Sequence, residues 1–268
     1  MKTTISLPPG GVDHFSAHLL FSQRRSSSSL HSSLQSVSSS SLSFLSALSH
    51  GCRYSFTSTT TMESLAVVES ASLTGDGESI GEVLSNVQIF TAAGEAVMFK
   101  DLWDQKEGMA VVALLRHFGC PCCWELAATL KELKPRFDSA GVKLIAVGVG
   151  AADKARILAE RLPFPSECLY ADPDRKAYNV LGLYYGVGRT FFNPATTAKV
   201  FSRFESLKKA VKNYTISATT DDWSGILQQG GMFVFKGKSL LYARKDESSG
   251  DHAPLDDILN MCCTAQVA

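Results

Sequence analysis

Three of the seven cysteines in this 268-residue chain lie within four positions of one another, at Cys120, Cys122 and Cys123. Cys120 and Cys123 have the Cys-x-x-Cys spacing, which on a helix places two sulfurs one turn apart and within reach of a disulfide. Pro121 suits the first position of a helix, because its fixed φ is helical and its missing N–H would have no partner there. The pattern therefore predicts a redox-active pair at the start of a helix.

Cys120 is the candidate nucleophile. As the N-cap residue it would hold its sulfur against free backbone N–H groups and the positive end of the helix dipole, which both favour the thiolate. A nearby Arg116 or His117 would add to this, so we expect the pKa of Cys120 to lie below that of a free cysteine. Strand alternation should send these two side chains to opposite faces, so that at most one assists. Cys123 would be the resolving thiol, and Cys122, which points about 100° away, a bystander.

Two other interpretations of the cluster remain open. The thiols could be inert core residues, since free cysteine is often buried. They could also bind zinc, with two further ligands from His117, Cys168, Cys262 and Cys263. The chain has no second Cys-x-x-Cys or His-x-His at a recognisable spacing, so no metal is predicted. We place Cys168 in the core and interpret Cys262 and Cys263 as exposed thiols at the end of the last helix.

The segment that precedes the cysteines is typical of a strand buried on both faces, because residues 109–115 are continuously apolar. The helix after it carries one apolar stripe and ends before Gly141, which suits the C′ position. A strand over 143–149 comes next. The remaining predicted elements are a hairpin at 87–90 and 97–99, a helix from Asp153 to Leu162, a strand at 168–170, a helix from Pro173 to Leu181, an amphipathic helix carrying Val200, Phe204, Leu207 and Val211, a hairpin at 232–235 and 240–243, and a helix from Pro254 to Met261.

This order of elements predicts an α/β fold with a mixed central sheet and helices on both faces. The strand over 109–115 should be central, and the helix that follows it should begin at the carboxyl edge of the sheet, where such folds place their chemistry. Residues 184–228 are predicted to form a helical insertion. Their surplus of basic residues indicates either a solvated helix or a docking surface over the redox site.

Composition excludes some classes of partner. Lysine plus arginine and aspartate plus glutamate both number 26, so the formal net charge is zero. That balance gives no electrostatic reason to expect nucleic acid or an anionic membrane as a partner. The longest apolar run, residues 109–115, is far shorter than the roughly 20 residues that span a bilayer.

Residues 1–61 differ from the rest of the chain. They contain 19 serines, four lysines or arginines and a single acid, Asp13. They have no hydrophobic region for a secretory signal, and a serine-rich, acid-poor, weakly basic leader is typical of a transit peptide. We therefore expect a disordered transit peptide at 1–61, a linker at 62–79, one domain at 80–268, and location in the chloroplast, in its stroma. A serine-rich tail without an address is the alternative.

From Val87 to the C-terminus the chain resembles the peroxiredoxin-like 2 family of the AhpC/TSA antioxidant group, and within it the plastid thioredoxin-like branch. The motifs that carry the resemblance are Leu115-Arg116-His117-Phe118-Gly119-Cys120-x-x-Cys123-x-Glu125, Tyr170-x-Asp172-Pro173, Gln228-Gln229-Gly230-Gly231 and Arg244-x-Asp246-x-x-x-x-Asp251-His252. The resemblance implies a thioredoxin-like fold, with the first cysteine nucleophilic and the second resolving. Only this resemblance supports a functional role for Arg244 and His252, and His252 is interpreted as a surface or capping histidine.

The chain departs from the related families at the site itself. Typical peroxiredoxins have Pro-x-x-x-Thr-x-x-Cys, whereas Ala113 and His117 stand at the proline and threonine positions here. Thioredoxins have a proline where this chain has Gly230-Gly231. The chain also lacks a complete glycine fingerprint for a flavin or nicotinamide, so no cofactor is predicted.

Three functions follow from these residues. The first is a thiol-dependent reductase of hydrogen peroxide or organic hydroperoxides, with Cys120 oxidised to a sulfenic acid and Cys123 condensing with it. An external thiol donor, such as a thioredoxin or glutathione, would then reduce the disulfide. The second is the same site acting on a specialised endoperoxide metabolite, as a related family branch does on lipid endoperoxides. The third is a redox-sensing module without turnover.

Overall fold

The computed structural model describes residues 79–191 and 204–267 of the chain. The predicted transit peptide and all of the predicted linker except Ser79 lie outside this part. The strands are β1 (Gln88–Thr91), β2 (Ala96–Met98), β3 (Met109–His117), β4 (Val142–Val149), β5 (Leu169–Ala171), β6 (Gly231–Lys236) and β7 (Ser239–Lys245). The α-helices are α1 (Ile80–Ser85), α2 (Pro121–Ser139), α3 (Ala152–Arg161), α4 (Lys176–Val180), α5 (Val187–Phe191), α6 (Phe204–Ala210), α7 (Trp223–Ile226) and α8 (Leu255–Val267).

The seven strands form one mixed sheet in the order β2-β1-β5-β4-β3-β6-β7. β3 is parallel to β4 and antiparallel to β6, so that Val111 pairs with Leu144 on one side and with Val234 on the other. The strand predicted to be central is therefore an interior strand with partners on both sides, while β4 takes the middle place. All nine residues of β3 are buried, which is the outcome that the continuous apolar run predicts for residues 109–115. The buried strand also includes the polar residues Arg116 and His117.

Helices cover both faces of the sheet. Alternate residues of β3 enter two separate hydrophobic clusters, since successive side chains on a strand point to opposite faces. One cluster contains apolar residues of α2, α3 and α8, and the other contains residues of α1 and α4. α2, which carries the three cysteines, is thus held to the sheet along its apolar stripe. The predicted α/β class and layering are confirmed.

The central part of this sheet has the thioredoxin arrangement. β3, α2 and β4 form a parallel βαβ unit, and the antiparallel hairpin β6–β7 followed by α8 completes it on the other side of β3. The first helix of the βαβ unit therefore begins at the carboxyl end of β3, between β4 and β6. This is the thioredoxin-like fold that the sequence resemblance implied.

Several predicted boundaries were wrong for local reasons. α4 begins at Lys176 rather than at Pro173, because the Asp172 carboxylate accepts the N–H groups of Lys176 and Ala177 at 3.1 and 2.8 Å and so caps the helix from outside. α3 is capped by Ala151, and Asp153, the predicted cap, lies in its first turn.

The C-terminal helix continues beyond its predicted end. It extends to Val267, and Cys262, predicted to be an exposed tail thiol, is fully buried in the core. Burial raises the pKa of Cys262 to about 12, which is the direction expected for an inert thiol. Cys168 is buried as predicted, although it ends a 3-10 turn rather than lying in the strand.

The segment predicted as a helical insertion contains three short helices within its described part, α5, α6 and α7. Of the predicted amphipathic helix, the portion before Phe204 lies outside the described residues, and the remainder is helical to Ala210. Among the residues that the structure describes, no helix has the length and apolar character needed to cross a bilayer.

Candidate active site

The three clustered cysteines occupy the first turn of α2. Cys120 is the N-cap residue and Pro121 the first helical residue, as predicted. The backbone oxygen of Cys120 accepts the N–H groups of Cys123 and Trp124 at 2.9 and 3.1 Å, and its own N–H donates to the His117 oxygen at 3.0 Å. This ladder closes the turn directly behind β3 and fixes the Cys120 backbone.

The Cys120 sulfur is stabilised differently from the prediction. Its side chain accepts no capping hydrogen bond from the helix N–H groups. Hydrogen bonds from the Cys122 and Cys123 thiols lower the pKa of Cys120 well below its usual range, and the charges of Arg116 and His117 lower it further, while burial opposes them. The expected direction is confirmed. Its main cause, however, includes Cys122, which was wrongly predicted to be a bystander.

Cys123 has the opposite tendency. Burial raises its pKa well above the usual range, and its hydrogen bond to Cys120 raises it further. Its sulfur is fully buried and accepts the backbone N–H of Arg116 at 3.2 Å. The two hydrogen-bonded sulfurs of the Cys-x-x-Cys motif therefore have pKa shifts of opposite direction, lowered for Cys120 and raised for Cys123. Both cysteines are free, with no disulfide between them.

Arg116 contacts the Cys120 sulfur directly. Its Nη1 lies 3.5 Å from the Cys120 sulfur, while Nε donates to the Gln228 oxygen at 3.0 Å and Nη2 to the Ile226 oxygen at 2.6 Å. The side chain is buried, and both carbonyls belong to the segment that leads into β6. Two fixed acceptors thus aim a permanent positive charge at Cys120.

His117 also lies close enough to Cys120 and Arg116 to interact with their charges. Its side chain is buried, and its Nδ1 atom has no hydrogen-bond partner among the described residues. Burial lowers the pKa of His117, the charge of Cys120 opposes this, and the charge of Arg116 lowers it further. A buried imidazole with an unpaired ring nitrogen close to Cys120 is able to bind a small polar molecule there.

The prediction that only Arg116 or only His117 could assist was wrong. The pairing of β3 with β4 shifts register between Leu114 and His117, so the regular alternation of faces ends before these two residues. Arg116 is hydrogen-bonded to the sulfur, and His117 acts on it through charge. The irregularity at the strand end brings both side chains to Cys120.

The loop between β3 and α2 is held by contacts to its backbone. Tyr214 donates to the Gly119 oxygen at 2.8 Å, and Trp124 Nε1 donates to the Phe118 oxygen at 2.6 Å. A Cβ atom at Gly119 would lie only 2.5 Å from the Cα atom of Thr219. Glycine is required before Cys120 because the chain at Thr219 packs against it at this distance.

The Gln228-Gln229 motif positions the carbonyls that hold Arg116. Gln228 Nε2 donates to the Tyr184 oxygen at 3.0 Å, and Gln229 Nε2 donates to Thr190 Oγ1 at 2.8 Å. Both side chains are buried. They attach the segment before β6 to the start of the predicted insertion, so the acceptors of Arg116 are fixed from outside the sheet.

Glu125, the last residue of the cysteine motif, is buried on the outer side of α2 and accepts a hydrogen bond from Ser206 of α6. The two residues line a cavity of about 220 Å³ between α2, α6 and the end of α3. Glu125 therefore links the cysteine helix to the insertion.

His252, interpreted from sequence as a surface or capping residue, is buried against the cysteine turn. Its Nδ1 lies 3.2 Å from Asp246 Oδ2, and its Nε2 lies 3.1 Å from the backbone oxygen of Cys122. Arg244 pairs with Asp251 at 2.8 Å in the same connection. Only the motif spacing pointed to these residues, because His252 is 130 positions from Cys122 in the chain.

Within the part of the chain that the structure describes, no group of three or more histidine, cysteine, aspartate or glutamate side chains is arranged to hold a metal ion. Cys168, named among the ligands of a zinc site, lies directly before β5. Burial raises the pKa of Cys168, and the charge of Lys134 partly offsets this increase. The charges at the cysteine turn come from Arg116 and His117.

Comparison with known proteins identifies the family. A family profile described as AhpC/TSA antioxidant enzyme matches residues 129–248, which begin after the three cysteines. The thioredoxin-like protein AAED1 of Arabidopsis thaliana, described as chloroplastic, is 36% identical over 200 residues, which cover 74% of this chain and 79% of that protein. The chain belongs to the AhpC/TSA antioxidant enzyme family. The predicted plastid thioredoxin-like branch and chloroplast location are likewise supported, and this is a chloroplast protein.

Two further relatives indicate the breadth of this family. Prostamide/prostaglandin F synthase of Bos taurus is 35% identical over 169 residues, covering 62% of this chain and 79% of that protein. Peroxiredoxin-like 2C of Homo sapiens is 26% identical over 201 residues, covering 73% of this chain and 86% of that protein. Family membership therefore shows a peroxiredoxin-like, thioredoxin-fold protein, while different relatives carry different activities in their names.

Proposed function

We propose that this protein is a thiol-dependent antioxidant reductase of the chloroplast stroma that reduces hydrogen peroxide or an organic hydroperoxide. In this proposal Cys120 is the nucleophile and Cys123 the resolving thiol, and residues 1–61 are a transit peptide followed by a linker to residue 79. Arg116 and His117 assist Cys120. An external thiol donor, either a thioredoxin or glutathione, supplies the electrons, and no flavin, nicotinamide or metal takes part.

One observation carries the proposal. The Cys120 sulfur is hydrogen-bonded to two neighbouring thiols and lies 3.5 Å from the Arg116 guanidinium, which together lower its pKa. A thiolate is the nucleophilic form of cysteine, and a depressed pKa in an electropositive environment is typical of reactive rather than structural cysteines. The surroundings of the sulfur also argue against an inert core thiol, because its nearest side-chain partners are polar or charged.

The first step consumes the peroxide. The Cys120 thiolate attacks one oxygen of the O–O bond, a sulfur–oxygen bond forms, and the O–O bond breaks, leaving Cys120 as a sulfenic acid. The departing oxygen leaves with the electron pair and takes up a proton to give water or an alcohol. The sulfur loses two electrons, which the peroxide gains. Arg116 stabilises the negative charge as it moves from sulfur to oxygen, because its guanidinium is already fixed by two carbonyls.

The second step uses Cys123. Its sulfur attacks the Cys120 sulfenic acid, a disulfide forms, and the hydroxyl leaves with the thiol proton as water. Cys123 is held in the protonated form and is hydrogen-bonded to Cys120, so the resolving proton and sulfur are both at the reaction site. Two electrons from an external dithiol, or from two molecules of a monothiol, then return both cysteines to thiols.

His117 would contact the peroxide. It occupies the place three residues before the nucleophile, and its unpaired Nδ1 is buried next to Cys120. Depending on its tautomer, this atom would accept the peroxide hydroxyl or donate to a peroxide oxygen. Either bond would orient the O–O axis toward the sulfur. In this proposal His117 thus provides a polar contact to the peroxide from the position at which typical peroxiredoxins have a threonine.

The decisive experiment is donor-coupled peroxide consumption by the purified protein and three single variants. Cys120→Ser is expected to abolish turnover. Cys123→Ser is expected to stop catalytic cycling after Cys120 has been oxidised. Cys168→Ser, a matched control at a buried cysteine away from the turn, is expected to retain wild-type turnover. Unchanged peroxide consumption by folded Cys120→Ser protein would falsify the proposal.

A second candidate, reduction of an endoperoxide, has one observation in its favour, the 35% identity to a prostamide/prostaglandin F synthase. The burial of the nucleophile argues for small peroxides first, since Cys120 is only 3% exposed and a bulky substrate must displace neighbouring residues to reach it. Comparing kcat/KM for hydrogen peroxide, an organic hydroperoxide and an endoperoxide separates the two. A higher kcat/KM for the endoperoxide would favour this second function.

A redox sensor with the same disulfide is distinguished by turnover. Intact mass after mild oxidation reports the Cys120–Cys123 disulfide, and kinetics with a thioredoxin system and with glutathione report cycling. Disulfide formation without multiple turnover under either donor would identify a sensor and overturn the enzymatic proposal.

A further inference from the structure

The connection between β7 and α8 contacts the cysteine turn at His252. His252 Nε2 lies 3.1 Å from the Cys122 oxygen, and Nδ1 lies 3.2 Å from Asp246 Oδ2. The side chains of His252 and Asp246 are only 5% and 4% exposed. The proposed reaction gives neither residue a role. The carbonyl that His252 contacts nevertheless belongs to Cys122, the residue directly before Cys123.

The two oxygens that flank His252 determine where its hydrogens are. A carbonyl oxygen and a carboxylate oxygen are both acceptors, so a neutral imidazole with one N–H can satisfy only one of them. Both contacts are hydrogen bonds when His252 is an imidazolium and Asp246 is a carboxylate. Both are also hydrogen bonds when a protonated Asp246 donates to Nδ1 and the neutral His252 carries its hydrogen on Nε2. In both forms Nε2 carries a hydrogen that is donated to the Cys122 carbonyl.

Asp246 is itself held in place. Its N–H donates to the Gly230 oxygen at 3.0 Å, and a Cβ on Gly230 would lie only 3.0 Å from Asp246 Oδ2. Burial raises the pKa of Asp246, while its hydrogen bond to His252 opposes this. The salt bridge between Arg244 and Asp251 anchors the rest of the connection. The histidine is thus fixed at one end by the β6–β7 hairpin.

We propose that His252 is a positioning residue of the redox site, which fixes the Cys122 peptide through its Nε2–H so that the Cys122 thiol can donate to the Cys120 sulfur. The inference rests on the proposed role of Cys120 as nucleophile. The Cys122 thiol makes the hydrogen bond that lowers the pKa of Cys120 most. The direction in which the Cys122 thiol points depends on the orientation of the Cys122 backbone, and that backbone carries the carbonyl that His252 contacts.

Two substitutions of His252 separate this role from packing. In His252→Gln the side-chain amide can place an N–H at the former Nε2 position and still donate to Cys122. In His252→Asn the amide reaches only the Nδ1 position, so it keeps the contact with Asp246 and loses the one with Cys122. The measurement is the pH dependence of Cys120 alkylation in the full-length reduced protein, quantified by site-resolved mass spectrometry, with the fold checked by thermal unfolding.

On the acid limb of the profile the rate is proportional to the thiolate fraction. Because loss of one hydrogen bond costs about 1 kcal/mol, His252→Asn is expected to alkylate about fivefold more slowly there than wild type, with an unchanged plateau at high pH. His252→Gln is expected to remain within about twofold of wild type. Profiles for both variants that match wild type, or that fall equally, would overturn the proposal.

A second measurement keeps the inference testable if His252→Asn does not fold. The ¹⁵N resonances of the histidine rings, assigned to His252 by their loss in His252→Gln, report directly whether Nε2 carries a hydrogen at neutral pH. A protonated Nε2 supports the proposal, and an unprotonated Nε2 overturns it. Neither readout requires peroxide, so failure of the wild-type protein to reduce peroxide would reject the proposed function without deciding this inference.

Discussion

Replacing Arg116 by methionine removes the charge nearest to the Cys120 sulfur while keeping a side chain of similar length. A hydrogen bond to a charged group contributes about 1.5–3 kcal/mol, and the 3.5 Å separation of Nη1 from the sulfur places this contact at the lower end. A loss of about 1.4 kcal/mol corresponds to about a tenfold shift in the thiol–thiolate equilibrium toward the thiol. The thiolate should therefore form at higher pH in Arg116→Met than in wild type.

The assay is the rate of Cys120 alkylation from pH 4 to pH 9, resolved by mass spectrometry. On the acid limb, where the rate follows the thiolate fraction, Arg116→Met is expected to react about tenfold more slowly than wild type. The plateau at high pH should be unchanged, because the substitution alters the population of the thiolate rather than its chemistry. An acid limb that superimposes on that of wild type in a folded variant would refute the electrostatic argument.

Arg116→Lys is the matched control. A lysine keeps the positive charge but has a single compact ammonium group. It therefore cannot donate at the same time to the Ile226 carbonyl, the Gln228 carbonyl and the Cys120 sulfur. We expect an acid limb between those of wild type and Arg116→Met. Each carbonyl left unpaired costs about 1–3 kcal/mol, so both variants should unfold at lower temperature than wild type.

Three further predictions follow from the same site. Cys122→Ala should slow Cys120 alkylation on the acid limb, whereas Cys122→Ser, which keeps an O–H donor, should restore it; the pH profile decides. Gly119→Ala should lower the free energy of unfolding in urea by a few kcal/mol, because the new methyl group collides with the chain at Thr219. The buried His117 has a folded pKa below its unfolded value of about 6.5, so only the unfolded chain gains its proton as the pH falls. The free energy of unfolding should therefore decrease below about pH 6.5 by more in wild type than in His117→Asn.

These predictions have internal controls. Gly188→Ala adds a methyl group that meets no atom of the described residues within 4 Å, so unlike Gly119→Ala it should leave stability unchanged or slightly increased. Equal destabilisation by the two glycine substitutions would contradict the packing argument. A Cys122→Ser profile that matches Cys122→Ala would show that the donor at this position has no effect. The pH argument is contradicted if His117→Asn and wild type lose stability in parallel.

The sequence was sufficient for the features that local patterns determine. The burial of residues 109–115 could be predicted because a continuous apolar run is typical of a strand covered on both faces. Cys120 could be placed at the helix N-cap because Pro121 has a strong positional preference. Together with the order of the predicted elements, these two features place Cys120 at the carboxyl edge of the sheet.

The features that were missed depend on contacts between distant segments or on side-chain directions. Cys122 was dismissed from ideal helix geometry, although its thiol reaches the neighbouring sulfur. The sequence favours a surface or capping role for His252, because nothing near it in sequence reveals that it packs against a turn 130 residues earlier. Arg116 and His117 were separated by strand alternation, which the register shift at the end of β3 interrupts. Periodicity describes regular elements, and the site lies where they become irregular.

The guanidinium beside Cys120 is secured by carbonyls 110 and 112 residues further along the chain. A polypeptide that has not yet added the β6–β7 hairpin to its sheet therefore lacks the Arg116 contribution at Cys120, while Cys122 and Cys123 already lie beside it in the same turn. This contribution of Arg116 to thiolate formation therefore arises only when folding brings these distant segments together, as the last strands join the sheet.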